Sequence, residues 1–230
     1  MPLLARATQR GGLSFGGADI EVAAFAPGWS GIPIKADWSK TGEGSRSFEI
    51  RGEQTYFRGT GEWTPQPDGS LRGHVEAECV APVEMQCLAV AVRIPAPPPF
   101  GLGDASAATF DLPLEGGRTA RLSFPEPVPY HSQDSRQWGG QWTVRFGGAG
   151  GHLGHGGIRT FSPGERIVWN MTLTAPDGVA LADSSSRTFP ASSNASTAST
   201  SASRPTTPTT TSPSASSTAS SLTPRVAIQP

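Results

Sequence analysis

Phe110-Asp111-Leu112-Pro113-Leu114-Glu115-Gly116-Gly117-Arg118-Thr119-Ala120-Arg121-Leu122-Ser123-Phe124 decides the fold class. Phe110, Leu112 and Leu114 share one parity. Glu115-Gly116-Gly117 is a turn signal, after which Ala120, Leu122 and Phe124 return on one face. Two period-two runs around a glycine turn describe a β-hairpin with one face buried.

The same pattern recurs on either side. Residues 19–25 alternate loosely and residues 47–51 cleanly. Residues 55–63 place Phe57 and Trp63 on one parity, with Gly59 and Gly61 between them. Asp68-Gly69 marks a turn into residues 71–79, and residues 83–94 form a long apolar run. Trp138, Trp142, Val144 and Phe146 share a parity. Ser162-Pro163-Gly164 turns into Ile167, Trp169, Met171 and Leu173. No long segment repeats with the 3.6 period of a helix. The expectation is an all-β protein, an antiparallel β-sandwich of about ten strands over residues 13–180. An irregular segment, residues 1–12, precedes it.

Near Asp183 the composition breaks. Ser, Thr, Ala and Pro dominate from there, and residues 181–230 read as a disordered low-complexity tail that cannot bury enough apolar surface to offset its ordering entropy. Pro205, Pro208 and Pro213 favour extended conformations. A linker, an O-glycosylated stalk and the remnant of a truncated or mistranslated longer protein all suit this composition.

One hairpin register can be tested on the residues. A three-residue loop at Val80-Ala81-Pro82 sets Cys79 opposite Val83, Ala77 opposite Met85 and Val75 opposite Cys87, all on one apolar face. After Cys87 the apolar parity switches to Leu88, Val90, Val92 and Ile94, as at a β-bulge. In this register Cys79 and Cys87 lie about 13 Å apart along the strand, too far for a disulfide. Two free, buried thiols are expected, and a wider loop that brings them opposite is the alternative.

Charge limits the partners. The formal net charge is −1, and Lys35 and Lys40 are the only lysines. No basic stripe suggests a nucleic-acid partner. No apolar run approaches the ~18 residues of a membrane span. The N-terminus lacks the charged and apolar regions of a signal peptide, so a cytoplasmic protein and a chain lacking its true start both fit.

Candidate chemistry follows from spacing. The preferred register sets Glu78 opposite Glu84, with Glu76 diagonal. Carboxyls about 5 Å apart serve a retaining glycosidase, a cation site, or only a solvated face. His152 and His155 lie in a glycine-rich stretch without the further ligands zinc requires. No nucleophile elbow or phosphate loop is present, and no metal or cofactor is expected. The aromatic residues give the best lead. Trp29 and Trp38 fall in loops outside clean alternation, as stacking platforms for sugar rings or as caps of the sandwich. Trp63, at a strand end, suits either role. Trp138, Trp142 and Trp169 lie on core parities. Asp134-Ser135-Arg136 fixes a loop or presents a planar donor to a ligand.

Gly59-Thr60-Gly61-Glu62-Trp63, residues 90–95 followed by Phe100-Gly101, Gln133-Asp134-Ser135-Arg136-Gln137-Trp138, and Pro163-Gly164 leading into Asn170-Met171-Thr172-Leu173-Thr174 resemble the non-catalytic β-sandwich regions of large bacterial glycoside hydrolases. The resemblance spans residues 45–180. It implies an accessory module that binds a polysaccharide or oligosaccharide, acting as a monomer or within a larger multidomain protein, in an extracellular or periplasmic setting. Trp29, Trp38, Trp63, Asp134 and Arg136 are the binding candidates. Two further expectations stand beside it. One is a structural or adhesion module on a glycosylated stalk. The other is a glycoside hydrolase or lyase using Glu78 and Glu84.

Overall fold

The computed structural model describes residues 1–42, 44–149 and 157–182. The tail beyond residue 182, with His152 and His155, lies outside them. Sixteen strands form among the described residues. In chain order they are β1 (Leu3–Ala7), β2 (Leu13–Phe15), β3 (Ala18–Ala26), β4 (Ser30–Gly31), β5 (Ile34–Gly42), β6 (Ser45–Arg51), β7 (Thr55–Pro65) and β8 (Leu71–Cys79). There follow β9 (Val83–Met85), β10 (Cys87–Ile94), β11 (Gly103–Pro113), β12 (Thr119–Asp134), β13 (Trp142–Ala149), β14 (Arg159–Phe161), β15 (Arg166–Thr174) and β16 (Val179–Leu181).

Alternation explains why these segments are strands. In β3 the inward positions Ala18, Ile20, Val22 and Ala24 are buried while their neighbours are partly exposed, and β8 repeats this from Leu71 to Cys79. The β11–β12 hairpin forms as its sequence dictates, with Phe110 opposite Leu122 and Leu112 opposite Ala120. Residues 1–12 depart from the expectation of irregular chain. Leu3 and Ala5 are buried in β1, a strand too short and alanine-rich to announce itself.

The expected two-sheet antiparallel sandwich takes a different form. One mixed sheet runs β16-β1-β2-β3-β10-β13-β12-β15-β8-β7-β6-β5, with β11 added to β12 and β4 to β3, and it curls into a half-barrel. Its parallel pair is β1 with β16, Leu3 opposite Val179. Alternation shows that each strand buries one face. It does not distinguish two stacked sheets from one sheet rolled around the same core.

The corner of the roll is β12. Its first part pairs with β15 through residues 121–123, and its last part pairs with β13 through residues 130–134. Between these parts stand Pro125, Pro127 and Pro129, which lack the N–H a continuous ladder needs. One strand thereby belongs to both halves of the sheet. Phe110, Phe124, Tyr130 and Phe146 pack inside this corner, with the Phe110 and Phe146 centroids 4.4 Å apart.

The roll closes at Trp63. This side chain is 2% exposed, and its Nε1 donates to the carbonyl of Gly11 at 3.2 Å. Trp63 is therefore a core residue and not a ligand platform, contrary to one of the two roles its strand-end position allowed. The backbones meet closely beside it. A Cβ on Gly61 would stand 1.8 Å from the Gly11 oxygen, so only glycine fits there.

The hairpin expected at Val80-Ala81-Pro82 does not pair. β8 lies between β7 and β15, while β9 leaves to join β14 in a separate two-stranded ribbon. The parity switch after Cys87 marks this change of sheet, since β9 ends at Met85 and β10 begins at Cys87. Both cysteines are free and buried, although the register that led to that expectation does not form.

Candidate functional site

The outer face of the β3–β10–β13 region carries a different set of residues from the core. Ala91 lies opposite Glu21 on β3 and Arg145 on β13, while Arg93 lies opposite Asp19 and Thr143. Gln133 on β12 continues the row from Thr143. Ala23 and Ala91 keep the floor low, and Phe25 closes one end. The turn after β3 and the turn after β12 stand on either side of this floor. Together they bound an open groove of about 990 Å³, lined by Trp29 and residues 31–34 and by Ser135, Trp138 and Gly140.

Trp29 closes a short 3₁₀ turn, Pro27–Trp29, in which Gly28 has φ +79°. Trp29 itself has φ +65°, the one positive φ outside glycine among the described residues. A bulky residue in the left-handed region costs on the order of 1–3 kcal/mol. The indole is 37% exposed and meets the Phe25 ring edge-on, with centroids 5.6 Å apart. Its contacts with Phe25 and with the Arg145 guanidinium hold this ring at the groove rim.

Trp138 is the larger departure from the sequence reading. Its parity with Trp142 placed it in the core, yet it is 69% exposed. The parity breaks because residues 136–138 form a 3₁₀ turn that ends on Gly139 in the left-handed conformation. Asp134 braces this turn. Its carboxylate accepts from the Arg136 backbone N–H at 3.0 Å and from the guanidinium at 2.9 and 2.8 Å. Arg136 in turn stacks over Trp142 at 4.4 Å. The side-chain and backbone hydrogen bonds from Arg136 hold the Asp134 carboxyl down at about 2. Asp134 and Arg136 thus build the loop that presents Trp138, and neither lines the groove.

Arg145 forms part of the floor. It is 8% exposed, and its Nη1 donates to Gln133 Oε1 at 3.1 Å. Its guanidinium carbon lies 5.1 Å from the Phe25 ring centre and 5.6 Å from that of Trp29. Its Nε, also buried, has no hydrogen-bond partner among the described residues. Burial pushes the guanidinium pKa down from its ordinary value and pushes the neighbouring Cys87 thiol up to about 11. The other charges of the groove are paired: Glu21 accepts from Arg93 and lies 3.7 Å from Arg10.

Trp38 lies on β5 and not in a loop, and its side chain is outside the description. The Glu78–Glu84 pair does not assemble. Glu78 lies opposite Arg166 and binds it at 2.7 Å, whereas Glu84 sits on the ribbon opposite Thr160. Arg166 also reaches Glu76 at 3.5 Å. Glu76, Glu78 and Arg166 form a solvated ion-paired surface.

Arg145, Gln133 and Trp138 are among the groove residues that sequence reasoning did not select for a role. The polar parity of Thr143 and Arg145 against Val144 and Phe146 was legible. That this parity lies beneath two turns was not.

No known family profile matches this chain, and no curated protein matches it. Among solved structures, the 4-alpha-glucanotransferase from Thermococcus litoralis aligns with 70% of this chain at 9% identity and a TM-score of 0.41. The chain spans about a quarter of that structure, 27% of its length. At this distance the likeness bears on neither fold assignment nor function.

Proposed function

We propose that this domain is a carbohydrate-binding module, non-catalytic by itself, whose platform is the groove between Trp29 and Trp138. The observation that carries the reading is two exposed indoles, on separate turns, bounding a floor of small and hydrogen-bonding side chains. A pyranose ring offers an apolar C–H face to an indole and a rim of hydroxyls to polar groups. Such sites combine apolar walls with a few placed donors and acceptors. Thr143, Gln133, Arg93 and Glu21 supply the latter along the floor. On this reading the module accompanies a polysaccharide-degrading enzyme, as the resemblance over residues 45–180 implies, and it works where polysaccharide is found.

Affinity electrophoresis against a panel of plant and algal polysaccharides tests the reading. Retardation by at least one glycan, lost in Trp29→Ala/Trp138→Ala, is the expected result. A folded protein that no glycan retards overturns it.

A further inference from the structure

We infer that the groove selects acidic sugars, with Arg145 receiving the carboxylate of a uronic acid residue. This inference rests on the carbohydrate-binding reading and goes beyond it in naming the ligand class.

Arg145 is more than nine-tenths buried, yet among the described residues it has one hydrogen bond and no ion pair. A guanidinium carries five N–H donors. Here one meets Gln133, and the Nε–H meets nothing among the described residues. A buried cation without a counter-charge is costly, and proteins ordinarily pair it. The acids close by in sheet order are occupied. Glu21, across Ala91 on the same row, holds Arg93. Asp104, beyond His131 on that row, meets the His131 Nδ1 through its carboxylate at 2.7 Å. Phe25 and Trp29 give the cation aromatic neighbours, a partial compensation that leaves its donors unfilled.

The groove lining contains Arg10, Arg93 and Arg145 against the single carboxylate of Glu21. A neutral sugar leaves that excess of positive charge as it is. A carboxylate matches the planar fork of a guanidinium and neutralises it. Arg145 also lies close enough to Trp29 for one sugar residue to meet both, since 5.6 Å separates guanidinium and ring centre.

Titration calorimetry with three oligosaccharide sets of equal length tests the inference. The sets are uronates, the same chains with carboxyls reduced to hydroxymethyl groups, and sulfated neutral chains. The uronate is expected to bind about 10- to 100-fold tighter than its reduced counterpart, the range of a charged hydrogen bond. Arg145→Gln is expected to bring that ratio towards one, while Arg121→Gln, on an exposed pair outside the groove, leaves it unchanged. The comparison of uronate with reduced chain needs no variant, so it decides the matter even where Arg145→Gln fails to fold. Equal affinity for uronate and reduced chain overturns the acidic preference and leaves the carbohydrate reading standing. Tighter binding of the sulfated chain overturns the carboxylate assignment. Binding of none of the three sets overturns the carbohydrate reading itself.

Discussion

The outer surface around β8 and β15 and the outer surface around β3, β10 and β13 are both made of strands with one face turned from the core. They differ in how charge is held. Around β8 and β15, Glu76 and Glu78 meet Arg166 in open ion pairs, a surface that water screens. Around β13, Arg145 is covered by aromatic rings and meets no acid among the described residues. The first surface is satisfied as it stands. The second has a buried cation and two presented indoles, an arrangement that costs stability and that, on the proposed reading, a ligand completes.

The sharpest way to break this comparison is to remove what holds the two halves of the roll together. Gly61→Val places side-chain atoms where the Gly11 carbonyl stands, and a loss of about 3 kcal/mol or more is expected from chemical denaturation. Both surfaces fail together in that variant. Trp29→Ala/Trp138→Ala separates them. Glycan affinity is expected to fall on the order of 100-fold, as for paired tryptophan hot spots, with the denaturation midpoint nearly unchanged. Preserved affinity in that variant removes the groove from consideration. Glu78→Gln/Glu84→Gln addresses the other surface. It is expected to leave glycan affinity unchanged and to cost no more than about 1 kcal/mol, because the Arg166 pair is exposed.

The smallest effect concerns pH. The Asp134 carboxyl is held at about 2, below its ordinary value. Its bracing of the Trp138 turn is therefore fully present above the unfolded carboxylate range, near 4, and is lost as pH falls through about 2. Trp138 fluorescence is expected to be flat from pH 8 to 5 and to change only in that acid window. A transition near neutrality places the brace elsewhere.

Much of the scaffold was legible because short-range alternation writes it. The hairpin from Phe110 to Phe124 and the strand from Leu71 to Cys79 needed nothing more. The roll was not legible, because its closure joins Gly11 to Trp63, residues that no local pattern connects. The same limit left Trp63 open and inverted Trp138. Trp63 looked terminal and is sealed by a distant carbonyl. Trp138 looked internal, but a left-handed Gly139 interrupts the strand whose parity it shared. Trp29 stood correctly in a Gly- and Pro-flanked turn, since those residues act locally. Arg145 gave only its parity, and its burial depends on turns supplied from β3 and β12.

The parallel contact of β1 with β16 has a topological consequence. Leu3 faces Val179 and Ala5 faces Leu181, so the backbone path arrives and departs at a separation of only ~8 Å. A unit with doors so close together can be grafted into a surface turn of an unrelated host without prying that host apart.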